Sequence, residues 1–182
     1  LSEKFPLNTT YDNLYIAGNI IATENLWNEI KNLALDEKLI LDNQLIALRT
    51  NESIKSFTGL QTKNSKLRTP NSELKTINFP YHIFSHNDYA IREDFKLITK
   101  NKKSQSLSKS NRVVGDKSLI YLEEGAVVEC ATINTQTGPV YIGKNAELME
   151  GCMVRGPFAA CEGAVIKMGA KVYGATTIGP HC

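Results

Sequence analysis

The sequence predicts a partial α/β domain followed by a left-handed parallel β-helix of hexapeptide repeats, and three observations predict it. An aliphatic, a small residue and a turn former recur together every six residues between Ile142 and Cys182. Helical and strand periods alternate before about residue 99. A polar run, Lys100 to Arg112, separates the two textures.

The elements follow in order. Leu14-Tyr15-Ile16 is a short apolar run suited to a strand. Thr23 is placed to cap a helix beginning near Glu24, whose Leu26, Ile30 and Leu33 fall on one face. Leu39-Ile40-Leu41 and Leu45-Ile46-Ala47-Leu48 flank Asp42-Asn43, as two strands flank a turn. The polar stretch from Gln61 to Thr76, with Pro70-Asn71, reads as a loop. A second helix is expected from about Asn87 to Ile98, with Ile91, Phe95 and Ile98 on one face and Ser85-x-x-Asp88 as its start signal. Lys100 to Arg112 carries five positive residues, no acid and one apolar residue in thirteen, so it cannot bury a core of its own. It reads as a boundary or exposed loop, either a solvated connector or a phosphate-binding segment. The domains are therefore expected at 1–112 and 113–182.

In the repeat, every sixth residue gives Ile142, Leu148, Val154, Ala160, Ile166, Val172 and Ile178. Four positions after each come Ala146, Cys152, Phe158, Ala164, Ala170, Thr176 and Cys182, nearly all small. Between them lie Asn145, Gly151, Pro157, Gly163, Gly169, Ala175 and His181, mostly turn formers. A triangular coil turns a corner every six residues, so one aliphatic fills the interior, a small residue fits near the corner and the turn takes tight backbone. Phe158 breaks the small column and either fills a widened corner or points away. Upstream, Leu122, Ala126, Val128 and Thr132 suggest an earlier coil. The phase slips between Ile133 and Val140, where Asn134 to Pro139 is expected to bulge outward.

The bulk composition excludes several classes. With 182 residues the chain has room for one or two domains and a core that stands without staples. A net charge of +2 is too small to argue for nucleic acid or an anionic membrane. No apolar run reaches the roughly 18 residues of a membrane span. The four cysteines form no C-x-x-C pair, which leaves reduced thiols in a cytoplasmic protein as the expectation. The chain starts at Leu1, and the repeat reaches Cys182 without a polar cap, so an internal fragment holding only the first coils is expected.

At Gly138-Pro139-Val140-Tyr141-Ile142-Gly143 and Gly156-Pro157-Phe158-Ala159 the chain resembles the bifunctional N-acetylglucosamine-1-phosphate uridylyltransferase/glucosamine-1-phosphate acetyltransferase family. It is most similar to a divergent branch of sugar nucleotidyltransferases, through Met149–Ala159 and Lys167–Pro180, and more loosely through Ile83-Phe84-Ser85 and Ala90–Phe95. The resemblance implies an α/β domain that joins a sugar 1-phosphate to a nucleoside triphosphate with Mg2+. It also implies a β-helix that forms a homotrimer and transfers an acyl group from acyl-CoA. An Arg that follows Gly-Pro-Phe-Ala in the acetyltransferases is replaced here by Ala160.

The site residues are expected to be sparse. Nucleotidyl transfer needs a Gly-rich phosphate cradle, and no Gly-x-Gly occurs in the chain. The catalytic residues are expected outside it, so this piece alone should turn over nothing. Asp12, Asp42 and Asp88 are carboxylates that read as turn or cap residues. Arg155, Lys167 and Lys171 occupy coil positions able to face outward and meet phosphates, or else form a solvated face. His181, in the turn column, is the one histidine of the β-helix. His82 and His86 have a helical metal-pair spacing without a third ligand nearby, so no metal site is expected. The alternative function is a non-catalytic β-helix for trimerisation or nucleotide-sugar sensing.

Overall fold

The structure, a computed structural model, describes residues 10–52, 66–70 and 74–182. The chain divides into two compact units, Leu1–Asn78 and Phe79–Cys182.

The first unit sets one helix on a four-stranded sheet. Strands β1 (Asn13–Ile16), β2 (Glu37–Leu41), β3 (Gln44–Thr50) and β4 (Lys66–Arg68) lie in the order β1-β3-β2-β4. β3 is antiparallel to β1 and β2, and β4 joins β2 in parallel. The hairpin turns through Asp42 and Asn43, at φ 48° and 62°. Their short polar side chains make that left-handed backbone tolerable. Helix α1 (Glu24–Lys31) starts where the Leu26 N–H donates to Thr23 Oγ1 at 3.2 Å. Its Leu26 and Ile30, with Leu33 beyond, pack on Leu39, Ile46 and Ala47. Burial of each large aliphatic is worth about 1.5–3 kcal/mol. Of the expected polar loop, 61–65 and 71–73 lie outside the described residues. The rest is not all loop: 66–68 is β4, and Thr76 bridges to Ile20. Backbone pairing with a sheet edge makes this strand, and a pattern with one apolar residue could not announce it.

The second unit begins with α2 (Tyr81–Ser85) and α3 (Asn87–Thr99). Ser85 does not start α3, as the capping signal suggested; it ends α2. His86 links the two helices in right-handed backbone, at φ −99° and ψ 0°, so no side-chain cap is made. Among the described residues no helix is long and apolar enough to cross a membrane.

Residues 112–178 wind into a parallel β-solenoid. Its strands are β5 (Arg112–Val114), β6 (Ile120–Leu122), β7 (Val127–Val128), β8 (Thr132–Asn134), β9 (Val140–Ile142), β10 (Glu147–Leu148), β11 (Met153–Arg155), β12 (Phe158–Ala160), β13 (Val165–Ile166), β14 (Lys171–Val172) and β15 (Thr176–Ile178). They form three sheets, β13-β10-β7, β14-β11-β8-β5 and β15-β12-β9-β6. The aliphatic column fills the interior: Ile142, Leu148, Val154, Ala160 and Ile166 are at most 7% exposed. Phe158 is wholly buried, and so is Ala160, the one short member of the aliphatic column. The two exceptions therefore occupy one rung, where large and small have exchanged places and total volume is kept.

One upstream expectation changes. Leu122, Ala126 and Val128 point inward, but Thr132 does not; Ala131 and Ile133 take the inward places at 2% and 0% exposure. Cys130, at φ 50°, turns that corner one residue early. The segment after Asn134 bulges outward as expected, and it is an ordered turn. Thr135, 2% exposed, donates its hydroxyl to the Asp116 carbonyl at 2.9 Å, while Gln136 and Thr137 face solvent.

The run Lys100–Arg112 covers the first coil. Gln105 donates its side-chain amide to the Ala126 carbonyl at 2.8 Å and accepts from the Gly125 N–H at 3.1 Å. Asn111 likewise donates to the Val128 carbonyl at 2.7 Å and accepts from the Ala131 N–H at 2.9 Å. The Gln105 and Arg112 N–H groups donate to Leu122 and Ala131 carbonyls. Leu107, the one apolar residue of the run, packs on the solenoid core. A bare coil edge would leave these groups unpaired at about 1–3 kcal/mol each when buried. The run is polar because its partners are backbone groups.

Candidate functional site

The three cations expected to face outward do so, and the coil brings two of them together. Val154 and Val172 point into the prism, so alternation turns Met153, Arg155, Lys171 and Tyr173 outward. Parallel register stacks Thr132, Met153 and Lys171 in one ladder. The next outward ladder holds Asn134 and Arg155, and Tyr173 follows β14 on the same side. Thr132, Asn134, Met153, Arg155, Lys171 and Tyr173 line a shallow cavity of about 200 Å³ with no carboxylate in it. Arg155 and Lys171 are exposed, and among the described residues neither is in an ion pair. A guanidinium and an ammonium on one face, beside an exposed phenol ring, can receive a phosphate and a flat ring.

Lys167 and His181 stand elsewhere. Lys167 is exposed at the corner after β13, where its carbonyl accepts a weak bond from the Cys152 thiol at 3.2 Å. His181 turns a corner at φ 56°, with its N–H on the Glu162 carbonyl at 2.9 Å. Its ring lies over Gly163, where a Cβ would stand 2.4 Å from Nδ1. Gly125 bears the same relation to Asn145, whose Oδ1 would meet a Cβ at 2.1 Å. In this corner column, glycine leaves room for the side chain one coil later.

Two of the three carboxylates are paired with arginines. Asp12 accepts from Arg49 Nε and Nη2 at 2.9 and 2.7 Å, and these bonds hold its carboxyl below the ordinary range. Asp88 pairs with Arg92 at 2.6 Å, and Asp42 sits in the hairpin. The His82 and His86 rings are 5.0 Å apart. No group of three His, Cys, Asp or Glu able to hold a metal occurs among the described residues.

On the third sheet, the Tyr121 and Tyr141 rings stack at 6.0 Å. Burial, reinforced by a hydrogen bond with Glu123, pushes the Tyr141 hydroxyl well above its ordinary range. Burial first, and then Cys182, raises the Cys161 thiol. Neither group is prepared to act as a nucleophile near neutral pH.

The family model for sugar nucleotidyl transferases matches residues 1–103. The chain belongs to the sugar nucleotidyl transferase family. No curated protein matches it. The match takes in the first unit, α2 and α3, and ends inside the connector. The solenoid, with Arg155, Lys167, Lys171 and His181, lies beyond the matched residues.

Sequence reasoning missed Asn134, Met153 and Tyr173 as neighbours of Arg155 and Lys171. A signal existed for part of this: residues flanking Val154 and Val172 must face outward. Their convergence depends on which strand stacks on which.

Proposed function

We propose that the protein makes a nucleotide sugar, joining a sugar 1-phosphate to a nucleoside triphosphate with release of pyrophosphate, and that its solenoid is an acyltransferase-like tail. The family match over residues 1–103 carries the first half of this reading. The resemblance of the hexapeptide coils supports the second half and points to the bifunctional uridylyltransferase/acetyltransferase type. In this reading Arg155 takes a phosphate bidentately, Lys171 adds a point charge and Tyr173 covers a ring. The ligand is acyl-CoA or a nucleotide sugar. Flat prism faces packing about a threefold axis would place that site in a groove of a homotrimer. The four free cysteines support a cytoplasmic setting for this reaction. Mg2+ would supply charge neutralisation at the triphosphate.

The test is a pyrophosphate-release assay of the full-length protein across nucleoside triphosphates and sugar 1-phosphates. Release with one pair is expected. Silence across the panel, from protein shown to be folded, would overturn the reading.

One observation favours a second reading of the solenoid, as a non-catalytic module that assembles or senses. Ala160 stands where the resemblance calls for a phosphate-binding Arg, and its side chain is sealed inside the coil at 0% exposure. Acyl-CoA offered with amino-sugar phosphates separates the two readings. Thiol release supports acyl transfer. Nucleotide-sugar binding that is lost in Arg155→Ala, without any thiol release, supports sensing.

A further inference from the structure

A concavity of about 930 Å³ in the second unit opens where the end of α3, the connector and the first coil meet. That volume falls within the range of about 300–1,000 Å³ typical of small-molecule sites. Lys102, Lys109, Arg112 and Lys117 line it, together with the hydroxyls of Ser106 and Ser118. Phe95, Leu107 and Tyr121 supply apolar wall. No carboxylate lines it.

The four cations are exposed, and among the described residues none is in an ion pair. Nearby acids are engaged elsewhere. Asp116 accepts from the Ser118 N–H at 2.8 Å, and Glu129 accepts from the hydroxyls of Ser108 and Ser110. Capping the solenoid explains Ser104, Gln105, Ser110 and Asn111, whose side chains bond the first coil. It does not explain the cations, whose side chains make no bond to that coil. Four like charges around one concavity focus a positive potential and repel one another until an anion enters.

We propose that this mouth of the solenoid binds a small molecule carrying a di- or triphosphate group. A single phosphate brings only about −2 at neutral pH and would balance half of the lining charge. A phosphate chain can span several cations at once. Because Ser104, Gln105 and Asn111 both line the mouth and hold the coil edge, an occupant also braces the cap.

The experiment titrates the full chain with sodium pyrophosphate, ATP and inorganic phosphate at fixed ionic strength. Binding is read from the amide 15N–1H shifts. Saturable shifts are expected at residues 102–122, with pyrophosphate and ATP at least ten-fold tighter than phosphate. ATP tighter than pyrophosphate identifies a nucleotide; equal affinities identify the phosphate chain alone. The melting temperature should rise with pyrophosphate, since the ligand binds only the folded state. K109Q/R112Q should weaken pyrophosphate at least ten-fold with unchanged circular dichroism, and K102Q/K117Q should do so independently. Shifts that never saturate, shifts confined to other segments, or native affinity in both of the first two double variants would overturn the proposal. Pyrophosphate release by full-length protein tests the nucleotidyl-transfer reading separately, so either idea can fail alone.

Discussion

The two units bury their backbone in different ways. In the first, separations are mixed: Leu41 meets Gln44 across a two-residue turn, while Asn13 pairs with Thr50 from the far end of the sheet's sequence. In the solenoid every strand pairs with one a full coil away, as Val140 with Phe158 and Phe158 with Thr176. A local hairpin can tolerate a defect within itself. A stacked rung hands its defect to the rungs above and below, as expected of quasi-one-dimensional folds.

The largest effect that would sharpen this contrast is at Phe158. Phe158→Ala should cost about 3–5 kcal/mol in denaturant unfolding, with amide exchange accelerating at Val140 and Thr176 as well as at residue 158. Ile30→Ala should cost about 2–5 kcal/mol, with faster exchange confined to α1 and the strands beneath it. Adding Ala160→Leu to Phe158→Ala should recover part of the loss by restoring the volume of the rung. A double variant no more stable than Phe158→Ala would show that the two positions do not exchange volume.

The cap comes next. Asn111→Leu should cost about 1–3 kcal/mol and speed exchange of the Ala131 N–H. Unchanged exchange at Ala131 would mean that the connector is not what satisfies the coil edge.

The smallest effect is acid sensitivity. Hydrogen bonds from Ser110 and Ser108 hold Glu129 below its ordinary value of 4.5. Its folded pKa is depressed, so its contribution is present above the unfolded value and is lost as pH falls through the folded one. Protection of the Cys130 N–H, which donates to Ser110 Oγ at 3.0 Å, should therefore fall in acid. Glu129→Gln should remove that dependence while leaving the acid response of Asp12–Arg49 in the first unit in place.

Much of this architecture was legible in the residues, unevenly. Thr23 as a cap, the Asp42-Asn43 turn and the interior column from Ile142 all follow from local stereochemistry. Strand β4 and the end of α2 at Ser85 did not, because a sheet edge and a continuing helix overrode weak local signals. The connector is an exposed loop, as its composition predicts, but its partners were not legible for a related reason. Counting one apolar residue showed that it could form no core, but not that Gln105 and Asn111 would stand in for a strand. Of the candidate site, the outward placement of Arg155 and Lys171 was readable, but their company was not.

A six-residue cycle of side chains carries the coil in its own covalent order, since inward and outward alternate along any strand whatever it pairs with. Which residues become neighbours is a different matter. Ile120 pairs with Val140, twenty positions on, while Phe158 pairs with Thr176 after eighteen. Coil length therefore sets every vertical contact: the glycine beneath His181, Tyr173 beside Arg155, and the cations around the mouth. Those lengths depend on corners such as Cys130 and Thr135, whose geometry is stabilised by the coils they join.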